Sequence, residues 1–185
     1  MADTALKRAT YQDILDLPEG MVGEIIRGAL YSQPRPRIPH VRAAWKLASK
    51  VGGPFDTDET GPGGWIFLAE PELHLGEDIV VPDMAGWKRE RYPAVANDAY
   101  LVVAPDWVCE ILSPSTAQKD RALKAEIYAK QGVSWMWLLD PQLKTLEAYR
   151  NLDGQWLQLA VLKEGDEVKV EPFDAAPFRL DALWT

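Results

Sequence analysis

Cysteine and histidine are scarce in this chain, with one Cys and two His in 185 residues. The single thiol, Cys109, excludes an intrachain disulfide, and so small a set argues against a Cys/His zinc site. Its apolar neighbours put Cys109 in a strand, where a buried, inert thiol is expected. Long apolar runs are missing too. No stretch reaches the roughly 18 residues that span a bilayer, so no membrane partner is expected. The opening Met-Ala-Asp-Thr-Ala lacks a signal-peptide pattern, and the expected location is cytoplasmic. Bases are the minority charge: 20 Lys and Arg face 28 Asp and Glu, for a net −8. That balance argues against broad, non-specific nucleic-acid binding, which depends on Lys and Arg neutralising phosphates. It leaves room for a local basic patch or a metal-bridged contact. Internal repeats and low-complexity segments are absent.

What is present is an ordinary globular composition, 47% hydrophobic and 26% charged. The length suits one domain over residues 1–185. Its core is expected at about 10–150, with 151–185 as a C-terminal hairpin and tail.

Thr10 caps a short helix whose apolar side is Ile14, Leu15 and Leu17, stopped at Pro18-Glu19-Gly20. Gly23 to Tyr31 reads as two short strands around a Gly28 turn. There Glu24 and Arg27 fit solvated edge charges as well as site residues. Gln33 to Pro39 carries three prolines and two arginines and reads as an exposed linker. From His40 to Val51 the spacing is helical, with Val41, Ala44, Trp45, Leu47 and Ala48 as one apolar stripe and Gly52-Gly53-Pro54 as the stop. His40, in the first turn, reads as a surface histidine near a cap. Asp56 to Gly64 is a loop. Trp65–Leu68 and Glu72–Leu75 are strand-like, and Ile79 to Trp87 is a strand whose Pro82 marks an edge or a bulge. Lys88-Arg89-Glu90-Arg91 is a solvated basic cluster.

Trp107–Leu112 reads as a buried strand, and Ser115-Thr116-Ala117-Gln118 has the spacing of a capping box opening a helix to about Gln131. Trp135 to Pro141 is a central strand. Leu146–Arg150 and Trp156–Leu162 form a hairpin through Asp153-Gly154. Strands and helices mix without strict alternation, so the expected class is mixed α/β, or α+β.

Two acids stand in apolar, strand-like settings where an apolar residue would be usual: Asp83 and Glu110. A carboxylate is costly to bury unpaired. If the two strands are neighbours, both acids could converge on one divalent cation, and such oxygen donors suit Mg²⁺ or Mn²⁺. The plainer reading is two unrelated acids at strand ends. On the following helix Asp120, Lys124 and Tyr128 recur every four residues and share a face. Lys124 could reach a nearby acid around the helix edge, or simply pair with Asp120 at the surface.

Val81-Pro82-Asp83 and Val108-Cys109-Glu110-Ile111-Leu112-Ser113-Pro114-Ser115-Thr116 resemble the motifs of the Uma-two family of endonucleases. Asp120-Arg121, Lys124, Tyr128, Gly132-Val133 and Trp137-Leu138-Leu139-Asp140-Pro141 keep that family's order and approximate spacing, and Gly23 to Leu30 resembles its N-terminal Glu-containing segment. The matches run from about Thr10 to Arg150. The resemblance implies the PD-(D/E)XK restriction-endonuclease-like fold, a mixed sheet flanked by helices, here with a C-terminal β-hairpin. It implies catalytic roles for Asp83, Glu110, Lys124 and Glu24, with Asp83 and Glu110 as metal ligands, Mg²⁺ or Mn²⁺ as cofactor and DNA as substrate. His40 matches a family histidine more loosely. Where the superfamily keeps a lysine two residues after its second acid, this chain has Leu112, and Lys124 is the family's replacement. A homodimer is expected, because superfamily nucleases often pair to cut two strands. The competing expectation is a non-catalytic nucleic-acid-binding or protein-interaction module that retains the fold. The net charge and Leu112 motivate it.

Overall fold

The computed structural model describes residues 8–34, 36–94, 98–114 and 117–185. Thr10 precedes α1 (Tyr11–Leu15), and its backbone N–H and hydroxyl both donate to the Asp13 carboxylate at 2.7 Å. Next come β1 (Met21–Ile26) and β2 (Ala29–Pro34), turned by Arg27 and Gly28 at φ 53° and 78°. A two-residue hairpin needs that pair of positive values. α2 spans Ile38–Gly52 with a proline in its first turn, where no backbone donor is lost. A π turn, Gly53–Thr57, continues it past the expected glycine stop. The linker expected up to Pro39 is shorter, since β2 takes its start and α2 its end.

β3 (Trp65–Ala69), β4 (Leu73–Leu75), β5 (Asp78–Val80), β6 (Met84–Lys88) and β7 (Trp107–Ile111) follow. Residues 117–130 form one helix, α3, whose middle, Asp120–Lys124, is π-helical between the α segments Ala117–Lys119 and Ala125–Lys130. The expected capping box begins at Ser115-Thr116, outside the described residues. β8 (Trp135–Asp140), β9 (Thr145–Leu152) and β10 (Gln155–Lys163) precede a small pair, β11 (Glu167–Val168) and β12 (Phe178–Arg179), and a 3₁₀ turn at Leu180–Leu183.

The main sheet has six strands in the order β10-β9-β8-β7-β6-β3, and β2-β1-β5-β4 make a second sheet. Main-sheet neighbours are antiparallel except β7 and β8, which run parallel. Parallel neighbours need a crossover, and α3 supplies it. The mixed sheet flanked by helices is therefore present, with the β9–β10 hairpin at one edge. The apolar run around Pro82 is two strands. β5 belongs to the second sheet and β6 to the main one, so Val81-Pro82-Asp83 is a switch between sheets where the sequence suggests an edge or bulge.

Alternation along β7 divides the core. Trp107, Cys109 and Ile111 pack with α2 and with the C-terminal Phe173, Phe178, Leu180 and Leu183. Val108 and Leu112 pack on the opposite face with Ile26, Leu73 and Val80 and with Ala125, Ile127 and Tyr128 of α3. Cys109 is buried, as expected. On α2 the buried residues are Ala43, Leu47 and Val51, while Val41 and Trp45 are exposed. The expected stripe is thus right in part: Leu47 is buried and Ala44 and Ala48 pack against the core, whereas Val41 and Trp45 face outward and Ala43 and Val51 take their place. Apolar residues occur nearly all round α2, and contact with the sheet, which admits the small Ala43, selects the face. Among the described residues no helix is long and apolar enough to cross a membrane.

Candidate active site

Glu110 sits on β7 between Val108 and Leu112, so its side chain points toward the layer that α3 covers. It is 2% exposed and needs partners. Two come from α3: Lys124 Nζ lies 2.7 Å from Glu110 Oε1, and the Tyr128 hydroxyl donates to the same oxygen at 2.5 Å. Glu24 on β1 is equally buried. It accepts from the Val81 N–H at 2.9 Å, lies 3.0 Å from Lys124 Nζ and pairs with Lys119. Lys124 also donates to the Val81 carbonyl at 2.9 Å, with Asp120 Oδ1 3.9 Å away. One ammonium thus joins both sheets and α3. The π turn matters for this arrangement. The Ala125 N–H bonds to the Asp120 carbonyl five residues back, which widens the helix locally and re-aims Lys124; such turns are frequent at functional sites.

Asp83 stands one residue before β6. Met84 faces Cys109 across the β6–β7 pair, so the next step of that ladder sets Asp83 opposite Glu110. Its Oδ2 accepts from the Ile111 N–H at 2.6 Å, and His40 Nε2 of α2 lies 3.1 Å from Oδ1. The Asp83 carbonyl accepts from the Glu70 N–H at 3.1 Å. Glu70, just past β3, has φ 49°, an uncommon value for a side chain of its size. Asp83, Glu110, Lys124, His40, Glu70 and Arg37 all line one cleft of about 350 Å³.

Charge in this site is held by mutual contacts. Burial pushes the Glu110 carboxyl well above its ordinary range, with Lys124 pulling the other way. Burial opposes the Lys124 charge, but Glu110, Tyr128, Glu24 and Asp120 outweigh it and hold the ammonium well above its usual value. Burial also opposes ionisation of Glu24, and the two lysines overcome it, leaving its pKa lowered. For His40 burial is countered by Asp83 and then Glu70, and its pKa is raised. Lys124 therefore presents positive charge and bonded protons.

The structure brings Asp83, Glu110, Lys124 and Glu24 together. Glu24, read from the sequence as either an edge charge or a site acid, is buried inside the cluster, while Arg27 is exposed and pairs with Glu126. Asp120 is buried, so the alternative of a surface Asp120–Lys124 pair does not hold. Leu112 is buried in the apolar layer. His40 is mostly covered and bonded to Asp83, unlike the surface histidine expected. Lys119 and Glu70 are additions that sequence reasoning missed. Lys119 reaches Glu24 across 95 positions, which no local pattern records. The break in strand β3 at Glu70-Pro71 was the available signal for Glu70.

Two carboxylates at one cleft are hard oxygen donors. Among the described residues no three His, Cys, Asp or Glu side chains group as a metal cage. The set fits a cation of the Mg²⁺ type, which takes one or two carboxylates and completes its shell with water and substrate phosphate.

A family model described as "Uma2: Putative restriction endonuclease" matches residues 7–181. Among solved structures, a protein of Anabaena variabilis described as "a putative nuclease belonging to DUF820" is similar at 24% identity. That alignment covers 95% of this chain and 97% of the other, with a TM-score of 0.77. At that identity the likeness establishes the fold alone. No curated protein matches.

Proposed function

This chain belongs to the Uma2 family, and from that premise we propose that it is a metal-dependent endonuclease hydrolysing DNA phosphodiester bonds. The observation that carries the reading is Asp83 and Glu110 meeting at one cleft across β6 and β7, with Lys124 2.7 Å from Glu110. Asp83 and Glu110 would hold Mg²⁺ or Mn²⁺. When bound, that cation would polarise the phosphodiester and lower the pKa of an attacking water. The Ile111 N–H and His40 fix the Asp83 carboxylate in orientation. Lys124, kept protonated by three acids, acts as a fixed positive charge facing the negative charge that develops on the phosphoryl oxygens. It is poorly suited to take a proton. Glu24 and Tyr128 position Lys124 and Glu110.

Calorimetric titration of Mn²⁺ into wild type and Asp83→Ala tests the metal. The wild type should bind and the variant should lose most of the affinity; equal binding, or none in either, overturns the site. In a plasmid-nicking assay Lys124→Ala should lose about 10²–10³ in rate, the usual effect of removing one charge-stabilising group. Cleavage at the wild-type rate would deny Lys124 its role. The second reading, a nucleic-acid-binding module that keeps the fold, is favoured by Lys124 being 1% exposed and fully engaged. DNA binding without Mn²⁺ uptake would select it.

A further inference from the structure

Among the described residues the face of α2 turned away from the sheet has polar contacts with Thr185, and its exposed residues are neither inert nor uniformly polar. Ile38 is 84% exposed and Trp45 68%, with Val41 between them at 51%. At about 100° per residue these three share one exposed strip. Arg42, Lys46 and Lys50 form the adjoining row, four residues apart and so about 6 Å per step along the helix.

The charge here runs against that of the molecule. The net charge is −8, yet no Asp or Glu occurs anywhere from Ile25 to Phe55. Every arginine described outside α2 and its entry has a carboxylate in ion-pair reach. Among the described residues Arg37, Arg42, Lys46 and Lys50 have no Asp or Glu side chain in such reach. Arg42 hydrogen-bonds to Thr185 O at 3.0 and 3.2 Å, and Lys46 to the Thr185 hydroxyl at 3.4 Å. Cations with no Asp or Glu beside them, flanking an exposed indole, are what a nucleic-acid strand binds: phosphates meet the cations and an unstacked base lies on the ring. A second copy presenting the same face would bring like charges together. The strip is also continuous with the cleft, because Arg37 and His40 at the start of α2 line it beside Asp83.

We propose that the outer face of α2 is the track for a DNA strand with unpaired bases, its phosphates on Arg42, Lys46 and Lys50 and a base stacked on Trp45, leading past Arg37 to the Asp83–Glu110 cleft. This deepens the nuclease reading and rests on it for the direction of the strand. Binding on α2 requires no cleavage.

Fluorescence anisotropy of a labelled single-stranded oligonucleotide in EDTA, over a range of salt, tests the track. The proteins are wild type, Trp45→Ala and the triple variant Arg42→Gln/Lys46→Gln/Lys50→Gln, all surface changes, with circular dichroism as the folding control. The triple variant should lower the slope of log affinity against log salt by about 2, from three contacts at about 0.7 each on a single strand. Trp45→Ala should weaken single-strand binding by about tenfold and a blunt duplex by less. Wild-type slopes and affinities in both variants overturn the track. So does a Trp45→Ala protein that turns from dimer to monomer in sedimentation yet binds DNA normally, which would assign the face to a second copy. Nicking with Mn²⁺ keeps the two readings apart. Binding that depends on α2 without nicking refutes the nuclease and supports the track; nicking unaffected by either variant does the reverse.

Discussion

Glu24 shows how much the surroundings of one residue decide. On β1 it stands opposite Tyr31 of β2, yet it lies 1% exposed between two lysines that belong to α3. Removing one member of a buried ion cluster leaves the others uncompensated at a cost of about 3–5 kcal/mol. Glu24→Ala should therefore lower the urea midpoint with an unchanged slope, and a midpoint equal to wild type would refute the cluster's part in stability. At this scale Asp83 and Glu110 stood out as acids in apolar runs, but two unrelated acids was the plainer reading of the residues alone, and the family resemblance was what implied that they meet. Lys124 and Tyr128 were legible through helical spacing. The burial of Glu24 was not, since an acid on a short two-stranded ribbon looks the same exposed or covered. Nor was the pairing of His40 with Asp83, which depends on how α2 crosses the sheet.

Elements were read well where period and turn chemistry agree. The β1–β2 and β9–β10 hairpins turn at Arg27-Gly28 and Asp153-Gly154, each with two positive φ values, and those dipeptides announce them. On α2 the helix was legible but its buried face only in part, because its apolar residues nearly encircle it and packing chooses Ala43, Leu47 and Val51 over Val41 and Trp45. The π turn of α3 left no trace in composition, although it places Lys124. The same helix is clasped to β9 by a two-pronged bond, Arg121 Nη1 to Glu147 Oε2 at 2.9 Å and Nη2 to Oε1 at 2.6 Å. The Arg121 bond, first among the causes, holds the Glu147 carboxyl below its ordinary range. A carboxyl depressed in the folded state contributes stability above its unfolded value and loses it as pH falls through the folded one. Glu147→Gln should thus cost about 1 kcal/mol near neutral pH, after allowing for the partly exposed Arg121. It should also flatten the acid-side fall in unfolding free energy. An acid limb identical to wild type would deny the clasp any energetic role.

Across the whole molecule the largest surprise is the C-terminal segment. It carries no motif, yet the Phe173 ring lies within 4.9–5.5 Å of Phe55, Trp65, Phe67, Trp107 and Trp137. Sequence gives no sign of this because isolated aromatics between turns are compatible with any position; only the open face of the sheet makes a place for them. Phe173→Ala should cost about 3–5 kcal/mol, read as a lower denaturation midpoint together with loss of near-ultraviolet tryptophan dichroism. Unchanged values would show that the ring cluster is incidental.

The three-residue switch Val81-Pro82-Asp83 ties the two sheets on a very short tether. Val81 gives its N–H to Glu24 and its carbonyl to Lys124, and two residues later Asp83 meets Ile111 and His40. Backbone displacement of the second sheet is thus transmitted to Asp83 with almost no slack, while Glu110 stays anchored in the main one. The separation of the two carboxylates becomes a gauge of how the sheets are seated. Substitutions far out on β4 or β5 that unseat the second sheet should register first as a change at the cleft.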